Sequence, residues 1–217
     1  MNIYLYVNGP HTDWIIAEYS SNSSIKIVKF ENYKEKYNYN LKTINSREDV
    51  AISIHWPLKF EQDFLISFRH ALNVHPGYLP VGRGTFPIFW NILEQTTAGA
   101  TVHQMTSKID DGPILFREAV LYGKSESSGE LWKKVNTVER ILIKRTIEKI
   151  LDKDELNFFT ANEAKKPARK KSEFLQLLNN PPKKNLTTDE INRYLLAFTH
   201  HDHELPDWIY DFNTRGH

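Results

Sequence analysis

The sequence predicts an α/β protein built on a mostly parallel sheet with helices on both faces. Short segments rich in branched and aromatic residues alternate with helical segments, which is typical of parallel sheets covered by helices. The chain has 217 residues, 40% of them hydrophobic, and can therefore bury one core of ordinary size. We expect one globular domain with a small appendage rather than a disordered chain or a large multidomain assembly.

The expected strands are short apolar runs that end at turn residues. The first run, residues 2–7, stops at Asn8-Gly9-Pro10, which favours a tight turn. Another ends at Asn73-Val74-His75, directly before Pro76. The remaining expected strands are residues 25–30, Val50–Ile54, 100–105 and 114–122.

Helical segments separate these strands, and one of them is long and amphipathic. Residues 11–20 and 60–68 are expected to form short helices. A longer helix is expected to start at Ser127, because Glu130 three residues later completes a capping box, and to close the main domain near residue 152. Its apolar positions recur at helical spacing and are Leu131, Val135, Val138 and Leu142.

The last part of the chain has a different composition, so we expect a main domain over 1–152 and a short C-terminal extension with one or two helices over 153–217. Residues 165–171 are mostly Lys and Arg, which suits either a solvated surface or phosphate binding. The segment Thr188–Phe198 is expected to form a helix with an apolar face. That face is a candidate homodimer surface.

Composition limits the chemistry and the partners of the protein. The absence of cysteine excludes disulfides, thiolate metal sites and a cysteine nucleophile. The net charge of +1 argues against nucleic acid as a partner, because binding to phosphates normally shows a basic excess. No apolar run approaches the roughly 18 residues of a membrane span, and no basic leader precedes the first strand. We therefore expect a cytoplasmic protein without a membrane partner.

Glycine, proline and polar residues concentrate in one window of the chain, between Asn73 and Leu115. Asn73 and His75 alternate at the end of an expected strand, so both side chains should project from one face into the crevice where open α/β sheets bind ligands. Asp110, in a Gly-Pro loop, is the acid best placed to meet them. The sequence therefore predicts the site in this window, although a histidine after a strand is often only a packing residue.

An amide, an imidazole and a carboxylate together suit acyl transfer to an amine. Imidazole titrates near neutrality and can take the proton that an attacking nitrogen loses. The amide of Asn73 can stabilise the developing oxyanion, and the carboxylate of Asp110 can orient the imidazole and support its protonated form. This chemistry needs no metal, so we expect none, and His200-His201-Asp202-His203 has no other ligand cluster near it in sequence.

The residues of this window resemble the 10-formyltetrahydrofolate-dependent formyltransferases. The matching residues are Asn73-Val74-His75-Pro76-Gly77-Tyr78-Leu79-Pro80, Arg83-Gly84, Pro87, Trp90, Gly99-Ala100-Thr101-Val102-His103 and Ile109-Asp110-Asp111-Gly112-Pro113-Ile114. The resemblance implies a Rossmann-like sheet that carries the folate donor near the ends of its central strands. It also implies that Asn73, His75 and Asp110 form the catalytic trio.

The resemblance further implies where the folate carrier binds. The segment 55–59 falls where family members have the loop that lines the pterin pocket, so Trp56 and Leu58 are candidates for its wall. Ile109 and Asp111 are expected to face the pocket through their backbone. Bulky apolar side chains suit a flat heterocycle, although Trp56 could equally be an ordinary core aromatic.

Among formyltransferases, the chain most resembles those that formylate the amine of a nucleotide-linked deoxyamino sugar, as in surface-glycan or lipopolysaccharide biosynthesis. Only a short segment follows the long helix, unlike the basic C-terminal domain of methionyl-tRNA formyltransferases. The resemblance makes Arg83 a candidate for the diphosphate, along with the basic run, and Tyr78 and His103 candidates for the sugar, unless these two residues only pack.

Three other functions stay open from the sequence. The same trio serves formyltetrahydrofolate hydrolases, which pass the formyl group to water. Glycinamide ribonucleotide or another amine could be the acceptor, although the turn after the first strand lacks a Gly- and Ser-rich phosphate loop. A non-catalytic member that binds a nucleotide or RNA through its basic tail is the third.

Overall fold

The computed structural model describes residues 1–31, 47–182, 185–199, 205–206 and 208–209. Its strands are β1 (Ile3–Val7), β2 (Ile25–Lys29), β3 (Val50–Ile54), β4 (His70–His75), β5 (Ala98–Gln104) and β6 (Ile114–Val120). Its helices are α1 (Thr12–Tyr19), α2 (Gln62–Ile66), α3 (Pro87–Glu94), α4 (Ser128–Leu151), α5 (Lys171–Asn179) and α6 (Thr188–Phe198), with a 3-10 turn at Gly9–His11. Each expected strand is present, and its ends lie within two residues of the predicted ends.

The strands form one sheet in the order β2-β1-β3-β4-β5-β6. Strand β1 is parallel to both β2 and β3, and β3 is parallel to β4, whereas β4 and β5 are antiparallel. The chain therefore leaves β1 on one side and returns to its other side, which makes a topological switch point between β1 and β3. The predicted fold class, a mostly parallel α/β sheet, is confirmed.

The centre of the sheet is buried because its strands carry apolar residues in register. Leu5 of β1 pairs with Ile52 of β3, which pairs with Leu72 of β4, and all three side chains are fully buried. Burying each such side chain contributes about 1.5–3 kcal/mol. This row fixes the register of the central strands, and with it the positions of the polar residues at their carboxyl ends.

Helix α4 starts with the predicted capping box. The Ser127 amide donates to the Glu130 carboxylate at 2.8 Å, and the Glu130 amide donates to the Ser127 hydroxyl at 3.3 Å. The buried face of the helix includes Leu131, Val135 and Leu142, as expected, but also the fully buried carboxylate of Glu139. In the part of the chain described here, no helix is both long and apolar enough to cross a bilayer.

The chain forms two compact units, and each is made of several segments. The first comprises residues 1–75, 101–117 and 139–162, and the second comprises 76–100, 118–138 and 163–217. The second unit thus combines the C-terminal segment with two earlier segments. The boundary expected near residue 152 stays a prediction.

Three aromatic side chains from α3, α5 and α6 form the core of the second unit. The ring of Phe89 lies 5.0 Å from that of Phe174 and 4.8 Å from that of Phe198. Tyr194 and Ala197 on the same face of α6 are also buried. This apolar face of α6 packs within its own unit, so it is not available as the surface on which the homodimer prediction was based. The oligomeric state stays a prediction.

The basic run 165–171 is held by acidic partners in the second unit. Lys166 and Arg169 both pair with Glu94, and Arg169 also pairs with Glu173 at 2.9 Å. The Arg169 guanidinium lies 4.3 Å from the centre of the Trp90 ring. Lys166 and Arg169, two of the basic residues considered for phosphate binding, therefore form ion pairs that hold the run 165–171 in place.

Candidate active site

The polar residues at the end of the central strands lie in one row across the sheet. Ser53 of β3 is the cross-strand neighbour of Asn73 of β4, which is the neighbour of His103 of β5. Side chains in register point to the same face of a sheet. His75, two residues after Asn73, lies on that face as well and pairs with Thr101. The predicted alternation of Asn73 and His75 is therefore what brings both to the site.

The loop between β5 and β6 brings Asp110 to these side chains. Asp110 has a φ of +49°, in the left-handed region that Asp tolerates better than most residues. Close by, Gly112 lies against β5: a Cβ there would come within 1.8 Å of the Gln104 carbonyl oxygen. Only glycine permits this approach, and the tight path of the loop directs the Asp110 carboxylate towards the two imidazoles.

The Asp110 carboxylate faces both histidines. Its Oδ2 lies 3.7 Å from His75 Nδ1, and its Oδ1 lies 3.5 Å from His103 Nε2. Both distances are longer than good hydrogen bonds, and each contact becomes an ion pair only when the imidazole is protonated. The side chains of His75 and Asp110 are 7% and 10% exposed, so their interaction is weakly screened by solvent. The structure thus brings the predicted acid and imidazole together.

Hydrogen bonds fix the tautomer of His103 and, through it, the amide of Asn73. The Nδ1 of His103 lies 3.0 Å from the Gln104 carbonyl oxygen, which can only accept, so Nδ1 carries the proton. When the ring is neutral, its Nε2 accepts from Nδ2 of Asn73 at 3.3 Å. His103 therefore orients the amide that was predicted to stabilise the oxyanion.

A cavity of ≈ 380 Å³ lies at the ends of the strands opposite to the row of polar residues. The cavity beside that row has a lining more suitable for the predicted donor. This second cavity has a volume of ≈ 290 Å³, close to the lower end of ligand-binding cavities. Of the predicted residues, Trp56, Leu58, Ile109 and Asp110 line this cavity among the described residues, whereas Asp111 and His75 do not. The polar side of the lining also includes Ser53, Asn73 and His103. The combination of apolar wall and polar end matches the predicted donor site, and the binding role of each residue stays a prediction.

Trp56 belongs to both the core and the cavity wall. It is only 9% exposed and belongs to an aromatic cluster, with its ring 5.5 Å from that of Tyr6 and stacked on that of Phe60 at 6.3 Å. It also lines the cavity. The two alternatives for Trp56, core aromatic or pocket wall, are therefore compatible.

The residues expected to contact the substrate lie in both units. His103 belongs to the site in the first unit, whereas Tyr78 and Arg83 are half-buried residues of the second. Arg83 donates from Nη1 to the Lys166 carbonyl at 3.2 Å, so it supports the basic segment. Their roles in substrate binding stay predictions, and His200-His201-Asp202-His203 lies outside the described residues.

Sequence reasoning missed a buried cluster of His11, His55 and Glu139. The Nε2 atoms of His11 and His55 lie 3.2 Å and 3.0 Å from the same oxygen, Oε2 of Glu139. Burial raises the pKa of the Glu139 carboxyl, but the charge of His55 and hydrogen bonds from both imidazoles bring it below its usual value. Two signals could have revealed it: both histidines follow strands, and Glu139 occupies an apolar position of the long helix.

The fold and the site define an α/β group-transfer enzyme with an amide, an imidazole and a carboxylate beside an apolar cavity. The chain belongs to the formyl transferase family, whose model matches residues 15–147. This match confirms the resemblance and the enzyme class predicted from the sequence.

Similar proteins include formyltransferases of amino sugars. The chain is 29% identical over 177 residues to dTDP-4-amino-4,6-dideoxyglucose formyltransferase of Mycobacterium bovis, covering 79% of this chain and 72% of that protein. A 4-N formyltransferase from Francisella tularensis shares the fold with a TM-score of 0.80 and 24% identity, covering 94% and 90% of the two chains. A Helicobacter canadensis N-formyltransferase, solved with folinic acid and dTDP-3-aminofucose, gives a TM-score of 0.76 at 15% identity, covering 95% and 84%.

Proposed function

We propose that this protein transfers the formyl group of 10-formyltetrahydrofolate to the amine of a nucleotide-linked deoxyamino sugar. The proposal is carried by Asn73 and Asp110, which line the apolar cavity, together with His75, whose Nδ1 lies 3.7 Å from Asp110 Oδ2. The similarity to an amino-sugar formyltransferase over 177 residues supports this class of acceptor. Such a product suits surface-glycan biosynthesis.

In the proposed reaction, the neutral amine attacks the formyl carbon and a new C–N bond forms. His75 takes the proton that the amine loses. One N–H of Asn73 is engaged by His103, and the second is the group proposed to stabilise the oxyanion together with protonated His75. Collapse breaks the bond to the donor nitrogen, which receives the proton from His75, while Asp110 supports the imidazolium until then.

The cavity is proposed to hold the folate part of the donor. Trp56 and Leu58 offer apolar surface to a flat ring, and Ile109, 58% exposed, could cover it from the loop. Asp111 is proposed to contribute through its backbone. Arg83 and Tyr78 stay candidates for the nucleotide and the sugar.

The residues proposed for catalysis and donor binding all lie within 1–152, which supports a catalytic domain there and an extension over 153–217. Net charge near zero supports a small-molecule acceptor rather than nucleic acid. A cytoplasmic location and a homodimer stay predictions.

A transfer assay tests this function. The purified protein is incubated with 10-formyltetrahydrofolate and dTDP-4-amino-4,6-dideoxyglucose or dTDP-3-aminofucose, and the acceptor is followed by mass spectrometry. We expect the acceptor to gain one CO unit, with little formate released when the donor is present alone. Rapid formate release without an amine would instead identify a hydrolase, and no turnover with any amino sugar would contradict the proposed acceptor.

A further inference from the structure

The buried cluster of His11, His55 and Glu139 lies beside the topological switch point of the sheet. His11 ends the turn after β1, and His55 directly follows β3, the neighbouring strand on one side of β1. Glu139 reaches both from α4. Open α/β sheets bind ligands at their switch points, so a polar cluster there is a candidate for a functional role and not only for packing.

Burial makes the geometry of this cluster strict. The side chains of His11, His55 and Glu139 are 2%, 14% and 0% exposed. Both imidazoles contact the same buried oxygen, Oε2 of Glu139, so removing either one leaves the carboxylate with less compensation for its burial. The three side chains are therefore fixed with respect to one another.

His55 needs such support because its backbone is strained. Its φ is +52°, in the left-handed region, which residues other than glycine adopt only where their surroundings stabilise it. The Glu139 carboxylate lies 3.0 Å from the His55 ring nitrogen Nε2. The carboxylate thus holds a conformation that the chain would otherwise leave.

The strained residue sits immediately before the cavity wall. Trp56 follows His55 in the chain, and the segment from Trp56 to Phe60 lines the cavity together with Ile109 and Asp110. A change in the backbone of His55 would rotate the start of this segment. Glu139 thus contacts the residue that directly precedes the cavity wall.

The same three residues could be considered as metal ligands, since their ligand atoms lie within 4.8 Å of one another. A metal-bound histidine almost always donates its other ring N–H to an acceptor. Nδ1 of His11 is buried and has no hydrogen-bond partner among the described residues. His11 therefore lacks the outer hydrogen bond that a metal-bound imidazole normally makes, so we interpret the cluster as hydrogen-bonded.

We propose that Glu139 and His11 are positioning residues for formyl transfer: they hold His55 and thereby set the segment from Trp56 to Phe60 to bind the folate donor. They touch neither the donor nor the reacting atoms in this role. The proposal rests on the proposed function, because it assigns the cavity to the donor.

The test compares Glu139→Gln with wild type and with Glu148→Gln, a matched change at an exposed position of the same helix. Folinic acid binding is measured by calorimetry, and KM for the donor and kcat by the transfer assay. We expect Glu139→Gln to weaken binding and raise the donor KM about tenfold, with kcat within about threefold of wild type. Glu148→Gln should match wild type, and a smaller change in the same direction is expected for His11→Gln, which also serves if Glu139→Gln does not fold.

The possible outcomes separate this inference from the proposed function. If wild type binds no folinic acid and transfers no formyl group, the function fails. If wild type does both, the variants decide the positioning role. That role is wrong if Glu139→Gln, or a folded His11→Gln, has an unchanged donor KM. It is also wrong if kcat falls while the donor KM does not rise. Stoichiometric zinc in the purified protein, or a melting temperature raised by added zinc and restored by a chelator, would also overturn it in favour of a metal site.

Discussion

At the scale of single residues, Asp110 shows how strain and charge serve the same site. Its carboxylate approaches two imidazoles, and its backbone adopts a left-handed conformation in a loop that Gly112 allows to lie close to β5. Strained residues tend to cluster at functional sites, where the surrounding structure holds them. We interpret the loop between β5 and β6 as the element that places the Asp110 carboxylate beside His75.

The charge of Asp110 should therefore matter more than its shape. Replacing it in Asp110→Asn keeps the size of the side chain but removes the negative charge that supports protonated His75. We expect kcat for formyl transfer to fall by about 10²-fold or more, with folinic acid binding little changed. Steady-state kinetics with saturating donor measure the effect. Asp154→Asn, at an acid whose side chain is 60% exposed, is the control, and equal activity of the two variants would argue against the role of Asp110.

Residue patterns predicted part of this site. Asn73 and His75 alternate on a strand and stand beside turn residues, so local spacing was enough to select them. Glu139 could not be selected in this way, because a charged residue in a helix is usually at the surface. Only the three-dimensional path of the chain reveals that it is fully buried between two histidines.

At the scale of elements, the contact between Gly84 and Arg169 attaches the segment before α5 to the loop before α3. Gly84 has a φ of +90° and forms a bridge with Arg169, and the Thr85 amide donates to the Arg169 carbonyl at 2.8 Å. A Cβ at Gly84 would lie 2.2 Å from that carbonyl oxygen. Neither the backbone angle nor the space suits another residue.

We expect Gly84→Ala to destabilise the protein. The left-handed backbone costs an alanine about 1–2 kcal/mol, and separating the two segments adds to this cost. Urea unfolding should show a loss of more than about 2 kcal/mol. Gly123→Ala is the control, because an added Cβ there meets only a side-chain oxygen at 3.7 Å. Similar stability of both variants would mean that the bridge contributes little.

Periodicity predicted the bounds of the long helix α4, whereas the shorter helices α3 and α5 were not predicted. Helix α4 has a capping box and a long apolar face, so its start and end followed from the sequence. Helix α3 spans only eight residues, six of them buried, and so short an apolar segment cannot be told from a buried strand by its pattern. The bounds of helix α5 were not predicted; it begins at Lys171, the last residue of the basic run.

At the scale of the whole molecule, the order of the elements predicted the fold, but not how the chain divides. Alternating strands and helices led to a mostly parallel sheet, and the sheet order confirms it. The division into units was beyond the sequence, because each unit combines segments that are far apart along the chain. Local composition along the chain carries no record of such long-range packing.

The oligomeric state could not be predicted from the sequence for the same reason. An apolar helix face in a sequence is suited equally to a partner subunit and to another part of the same chain. In this protein Phe198 and its neighbours on α6 pack against Phe89 and Phe174. Long-range packing, rather than the hydrophobic pattern, decides which of the two applies.

Single-turnover formyl transfer by wild type and His75→Ala most directly tests whether Asn73, His75 and Asp110 act on one formyl carbon. Folinic acid binding is measured on the same samples, so that a loss of chemistry is separated from a loss of binding. We predict that wild type formylates the amino sugar, while His75→Ala binds folinic acid normally and reacts about 10²- to 10⁴-fold more slowly. A His75→Ala protein that transfers the formyl group at nearly the wild-type rate would contradict the proposed role of this trio.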